Sequence, residues 1–326
     1  MPGIVSLMKQ FFCPAKPTLV EEQVPDLHGK VIIVTGCNVG LGYELARILY
    51  SKNAKVYMMA RSKEKAYQAI ESIKADSPVS KGELHYIPLD LSDLEAVKIS
   101  AQDFLSRESR LHLLFNNAGV GYPKNGSVTR HGHELQRGVN CLGPFLLTKL
   151  LTPSLVSAAQ GAPCGTVRVI WVSSSAAEAF SPKNFMDSLG RTESVSSLDL
   201  YSISKLGNYF HATEFASRNK AQNIISIPLN PGAMDSDFWR SQGNITTLLL
   251  RKTVLHKPVY GAYTNLFAAF SPEVTLEKSG HFIAPWGQFW DVSQEMRDAA
   301  RSKSENGTGV ARQFWQWCEE QVESFA

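Results

Sequence analysis

A phenol and an ammonium stand four residues apart in the stretch YSISK, as Tyr201 and Lys205. On a helix that spacing puts both on one face, with about 5–6 Å between Cβ atoms, so the two can act on one bound object. The chemistry on offer is proton transfer. A tyrosine has an ordinary pKa of about 10 and needs a nearby positive charge before it can serve as a base near neutrality. Of the ten tyrosines in the chain, Tyr201 alone has a lysine four positions on. Such a pair also arises by chance, so it needs a cofactor site and a partner hydroxyl to carry meaning.

Those side chains need a frame. From KVIIVTG onward, apolar runs at 54–60, 83–90, 111–119, 166–175 and 224–232 alternate with helix candidates at 41–52, 63–75, 93–107, roughly 130–158 and 199–218. Continuous hydrophobic strands suit a parallel sheet covered on both faces. The β-α-β-α order predicts an α/β, doubly wound fold with ligands outside the carboxyl ends of the strands. No repeat or low-complexity linker interrupts the pattern. The expectation is one domain over 27–326, preceded by an N-terminal extension over 1–26. The closing stretch GVARQFWQWCEEQV, 309 to 322, predicts a C-terminal amphipathic helix with Phe314, Trp315, Trp317 and Cys318 available for core or dimer packing.

The first strand runs directly into TGCNVGLG, residues 35 to 42. Gly36, Gly40 and Gly42 permit a tight turn and a close backbone approach to a pyrophosphate, whose charge meets the amide groups of the helix start. Asn38 and Leu41 lie in the same turn and join the candidate contacts. At the end of the second strand, NAD-preferring enzymes of this architecture carry an acid that holds the adenosine ribose. Here Ala60 fills that place, Arg61 follows, and Ser62 and Lys63 come behind. A guanidinium can grip a 2′-phosphate through paired hydrogen bonds, which predicts NADP(H) over NAD(H).

Composition narrows the partners. With 326 residues, 44% hydrophobic and 19% charged, the chain is long enough to bury a large core. A net charge of +3 without blocks of like charge argues against nucleic acid and acidic membranes. Five scattered cysteines lack metal or framework spacing and read as free thiols of a reducing compartment. The apolar N-terminus is broken by Lys9 and two prolines, too short for a signal core or a span, and no other run approaches a span's length. A cytoplasmic protein without a transmembrane segment is expected, its brief N-terminal apolar stretch still able to dock on a partner or lipid. His131 and His133 invite a metal, but no cysteine or carboxylate set surrounds them and none is expected.

The motifs together resemble the short-chain dehydrogenase/reductase family over roughly residues 27–285. The glycines with a three-residue gap, NNAG at 116–119, Asn140 in GVNCLGPF, the serines of VSSS, YSISK, and NPGAMDS at 230–236 occur in that family's order. The PDLHGKVIIVTG opening, the long interval before Tyr201 and the FWQWCEEQ ending are similar to its retinol-dehydrogenase-like branch, especially fungal members. The resemblance implies a Rossmann fold, with Tyr201 as general acid/base and Lys205 as its helper on the nicotinamide ribose. It implies Ser174 as the carbonyl-orienting hydroxyl, with Ser173 and Ser175 as alternatives, and Asn140 beside a proton path. Cofactor contacts follow at Asp90, Leu91, Asn117, Ala118, Gly119, Pro231, Gly232 and Ser236, and a homodimer is implied as well.

The expected function is hydride transfer between NADP(H) and a bulky hydrophobic ketone, aldehyde or alcohol. Two segments are expected to roof that small-molecule substrate: 176–200, with Phe180, Phe185 and Met186, and 236–258, with Phe238 and Trp239. Two other classes compete. Epimerases and dehydratases of related extended proteins use a similar tyrosine–lysine pair, yet usually show a two-residue gap in the glycine motif. An idle cofactor sensor has no need of the complete serine, tyrosine, lysine and asparagine set.

Overall fold

Residues 10, 14–190, 195–235 and 254–326 are described by the computed structural model. The apolar runs become β1 (Val31–Thr35), β2 (Lys55–Ala60), β3 (Glu83–Pro88), β4 (Leu113–Asn116), β5 (Val167–Val172) and β6 (Ile224–Leu229). Every residue of β1, β4, β5 and β6 is buried, which only a sheet covered on both faces allows. Two further strands, β7 (Phe282–Ala284) and β8 (Gln288–Trp290), complete one sheet in the order β3-β2-β1-β4-β5-β6-β7-β8. All neighbours run parallel except β7 and β8. β1 pairs with β2 on one side and with β4 on the other, so the winding reverses there. In folds of this kind ligands bind outside the carboxyl ends of the strands at such a reversal.

Helices α1 (Gly40–Ser51), α2 (Lys63–Asp76), α3 (Leu94–Arg107), α4 (Leu135–Gln160) and α5 (Ser197–Arg218) follow the strands, then α6 (Pro258–Phe270), α7 (Gln294–Ala300) and α8 (Val310–Val322). Side chains start them: Ser62 caps α2, Asp93 caps α3 and Ser196 caps α5, each accepting backbone N–H groups left over by the helix. One apolar cluster gathers α1, α2 and α6 on one face of the sheet. The other gathers α3, α4, α5, α7 and α8.

α4 begins at Leu135 rather than near 130. His131 sits in the preceding turn, where its Nε2 accepts from Leu94 N at 3.0 Å and helps start α3. The His133 ring faces Trp317 instead, 6.4 Å away, so the two histidines are spent separately. α4 is also long and apolar enough to cross a membrane by length and composition, which corrects the expectation that no run approaches a span. It is mostly buried, packed against α3 and the sheet.

The aromatic stripe of α8 goes to the core of its own chain. Phe314, Trp315, Cys318 and Val322 are buried against α5 and the start of α4. Gly207 on α5 makes the approach possible, since a Cβ there would lie 2.8 Å from Cys141 Sγ and 3.1 Å from the Phe314 ring. Deeper on α5, His211 is fully buried among Phe145, Trp171 and Phe314, with ring centroids at 5.3, 5.3 and 4.8 Å. Neither ring nitrogen makes a well-formed hydrogen bond, and the Cys141 backbone offers only a weak one. In the N-terminal extension, Leu19 and Val24 join the sheet's own apolar cluster, while the brief apolar stretch expected to dock on a partner or lipid lies, apart from Gln10, outside the described residues.

Candidate active site

α5 carries Tyr201 and Lys205 one turn apart, 9% and 5% exposed. Lys205 Nζ lies 5.8 Å from the Tyr201 ring centroid and donates to Val172 O, at the end of β5, at 2.9 Å. Asn208 Nδ2 donates to the same carbonyl at 3.0 Å. The three serines after β5 are told apart by α5. Ser173 is buried and its Oγ donates to Lys205 O at 2.6 Å, which fastens the helix to the strand end. Ser174 is half-buried, hydrogen-bonds the Tyr201 hydroxyl, and accepts from Ala176 N at 3.2 Å to cap the turn Ser175–Ala179. The hydroxyl beside the phenol is therefore that of Ser174.

Burial sets the electrostatics of the Tyr201–Lys205 pair. Burial pushes the phenol well above its ordinary pKa, the Ser174 hydrogen bond pulls it partly back, and Tyr122 nearby raises it. Burial also pushes the Lys205 ammonium down to about 8, with Cys141 working weakly in the other direction. Burial disfavours the charged form of both groups, so ionising the phenol takes added positive charge nearby.

Asn140 lies fully buried in a π-helical turn of α4, Gly138–Leu142. Its Nδ2 donates to Val120 O and to Ser204 Oγ, both at 2.9 Å, and its Oδ1 accepts from Val120 N at 2.8 Å. Ser204 Oγ donates in turn to Tyr201 O at 2.8 Å. Asn140 thus clamps the segment after NNAG to α5. Gly119 comes with it: a Cβ there would stand 3.2 Å from Asn140 Oδ1 and 3.4 Å from Lys205 Nζ.

The glycine turn is assembled from backbone contacts. Gly36 has φ +66°, and a Cβ on Gly42 would lie 2.4 Å from Gly36 O and 2.7 Å from Asn117 Nδ2. Asn117 Nδ2 donates to Thr35 O at 2.8 Å, while Thr35 Oγ1 accepts from the backbone of Asn117 and Ala118 at 3.0 and 2.9 Å. The ends of β1 and β4 are stitched together by that threonine, which the sequence reading did not single out. Asn38 is half-buried in the turn, and Leu41 leans toward Gly261 of α6. Asp90 Oδ1 accepts from Ser92 N and Ser92 Oγ at 2.9 and 2.6 Å, and Leu91 is buried with its carbonyl against Gly143.

Arg61 is exposed directly before the α2 cap and, among the described residues, has no hydrogen-bond or ion-pair partner. Pro231 and Gly232 follow β6, with Gly232 at φ +90° and its N–H given to Asn230 Oδ1 at 3.0 Å. Ser236, Phe238 and Trp239 lie outside the described residues. Phe185, expected to face a substrate, is instead fully buried edge-on against Phe210 and Phe314, at 4.9 Å from each.

Tyr122 was missed by the sequence reading. It stands in the loop after β4 with φ +51°, an uncommon conformation for a bulky residue. Its N–H is given to Gln136 Oε1 at 3.2 Å, and its ring centroid lies 5.4 Å from that of Tyr201. No motif marks it; only its place three residues past NNAG does.

Residues 30–245 match the family model of the short chain dehydrogenases. A short-chain dehydrogenase/reductase of Phomopsis amygdali is 48% identical over 318 residues, covering 96% of this chain and 95% of its own. Among solved structures, a protein of Mycobacterium Paratuberculosis superposes with a TM-score of 0.69 at 26% identity, over 94% of this chain and 97% of its own. The NADP complex of Pseudomonas aeruginosa RhlG does so at 0.62 and 22% identity, over 81% and 97%. Sheet order defines a doubly wound α/β protein of the dinucleotide-binding kind. Within that class, the chain belongs to the short-chain dehydrogenase/reductase family.

Proposed function

We propose that the protein moves a hydride between NADP(H) and a bulky hydrophobic ketone or aldehyde, or the matching alcohol, with Tyr201 as general acid/base. The carrying observation is that the Tyr201 hydroxyl and Ser174 share a hydrogen bond, with Lys205 Nζ 5.8 Å from the Tyr201 ring centroid and held at the carboxyl end of β5. When bound, the cofactor supplies the hydride and, when oxidised, a positive ring. Ser174 holds the carbonyl oxygen in place. Tyr201 gives its proton to that oxygen as charge develops there, and Lys205 favours the phenolate left behind. A tyrosine kept neutral by burial suits the reductive direction, since it enters the reaction already holding the proton.

The residues fit a dinucleotide. The cradle at Gly36 and Gly42 has no room for a Cβ, so backbone N–H groups are free to come close to a pyrophosphate. Arg61 would grip the 2′-phosphate, and RhlG, with NADP in its complex, is a precedent for that cofactor on this fold. Tyr122 offers an aromatic wall beside the reacting hydroxyls, which favours a hydrophobic substrate. The test is a panel of aldehydes, ketones and polycyclic or terpenoid alcohols, followed by cofactor absorbance, with kcat/KM measured for NADPH and NADH. A preference for NADPH of about tenfold or more is expected, and Arg61→Ala should erase most of it while sparing NADH use. Equal use of both cofactors, or a preference for NADH, overturns the cofactor assignment.

A further inference from the structure

The N-terminal extension carries no motif, yet one of its residues is built into the site. Gln10 is 3% exposed. Its Nε2 donates to Glu178 Oε1 at 3.0 Å, and its Oε1 accepts from Asn230 Nδ2 at 3.0 Å. Glu178 belongs to the turn Ser175–Ala179, which Ser174 caps. Asn230 follows β6 and holds Gly232 N through its own Oδ1. One buried amide therefore ties the serine-bearing turn to the Pro231–Gly232 turn. Downstream, Thr18 Oγ1 donates to Gly287 O at 3.3 Å and Leu19 is buried, so the same strand of chain is fastened again beside β8.

We infer that Gln10 is a positioning residue, setting the distance between the Ser174 turn and the Pro231–Gly232 turn. The activity readout rests on the oxidoreductase reading; the bridge itself rests on geometry. The contact is directional: an amide oxygen faces an amide donor, and an amide nitrogen faces a carboxylate. Glutamate at position 10 keeps the shape and the bond from Asn230, but sets a second carboxylate at the 3.0 Å contact with Glu178. Changing Glu178 to glutamine at the same time returns an N–H donor to that contact.

The experiment is a cycle of Gln10→Glu, Glu178→Gln and the double change in the full chain. Three quantities are measured: kcat and KM with NADPH and a carbonyl from the panel, NADPH affinity by fluorescence quenching, and the unfolding midpoint without ligand. Gln10→Glu should lower kcat/KM about tenfold or more with NADPH affinity little changed. Glu178→Gln should stay near wild type, because an oxygen still faces the Gln10 amide. The double variant should return to within about twofold of wild type. A Gln10→Glu variant equal to wild type, or a double variant no better than Gln10→Glu, overturns the bridge. If Gln10→Glu does not fold, Gln10→Ala replaces it, and wild-type kcat/KM there overturns the proposal equally. If the wild type reduces no carbonyl in the panel, the oxidoreductase reading falls by itself. The midpoint cycle then decides about the bridge, and additive shifts sink it.

Discussion

On the cofactor side of the site, chain segments meet mainly backbone to backbone, Gly42 against Gly36 and Gly36 against Ala118, with one side chain, the Thr35 hydroxyl, accepting from the amides of 117 and 118. On the reacting side, side chains do the joining: Ser174 to Tyr201, Asn140 to Val120 and Ser204, Gln136 to Tyr122. The first kind of contact tolerates no added atom, because peptide groups in a packed turn cannot swing aside. The second kind tolerates a change of shape and fails when a donor or acceptor goes missing. Cofactor affinity and turnover should therefore be separable by mutation.

The largest expected effect separates them cleanly. Tyr201→Phe keeps the ring and removes the proton donor, so kcat should fall on the order of 10²–10⁴-fold with NADPH affinity nearly intact. Turnover close to wild type in this variant, on a substrate the native protein converts, would end the proton-transfer assignment. Gly42→Ala attacks the opposite rim. Its Cβ must displace Gly36 O, a strain of about 1–3 kcal/mol, so NADPH should bind tens of times more weakly while the Ser174–Tyr201 pair stays in place. Calorimetric titration checks this, and unchanged affinity would show that the turn relaxes at no cost.

A smaller effect lies beneath both rims, on the helix that carries Tyr201. Burial pushes His211 down to about 3, while an unfolded histidine titrates near 6.5. Between those values the unfolded chain binds a proton that the folded chain refuses, so stability falls as pH drops through that window. His211→Phe should remove the loss and add on the order of 2 kcal/mol at pH 5 relative to its effect at pH 7.5. Denaturant melts at the two pH values measure it. A variant that tracks wild type across both would show that the imidazole is not confined as the structure has it.

The legible parts of the fold are those whose constraints are local. Three glycines within one turn, a tyrosine and lysine within one helical turn, and β-rich runs of strand length all declare themselves over a few residues. Contacts such as Gln10 with Glu178 and Asn230 span 168 and 220 positions and have no type signature, since a single glutamine in a short apolar stretch does not announce its partners. The family resemblance points to Ser174 among the three serines, and what no local pattern shows is that α5 takes the Ser173 hydroxyl for its own backbone. β7 and β8, at three residues each, are too short to show a period. The length of the loop holding Phe185 suggests a substrate roof, yet the pocket of that ring is made by α5 and α8, far along the chain.

The position of α8 has a consequence for assembly. Being the last long helix, it acts as a built-in stopper: its aromatic stripe fills the groove that α5 and the head of α4 would otherwise present to the outside. A second copy of the chain that sought this groove would have to evict Phe314 from its seat over Gly207. Self-association of the intact protein must accordingly use other surfaces, while a chain cut before Val310 would bare a row of rings and cling to its neighbours.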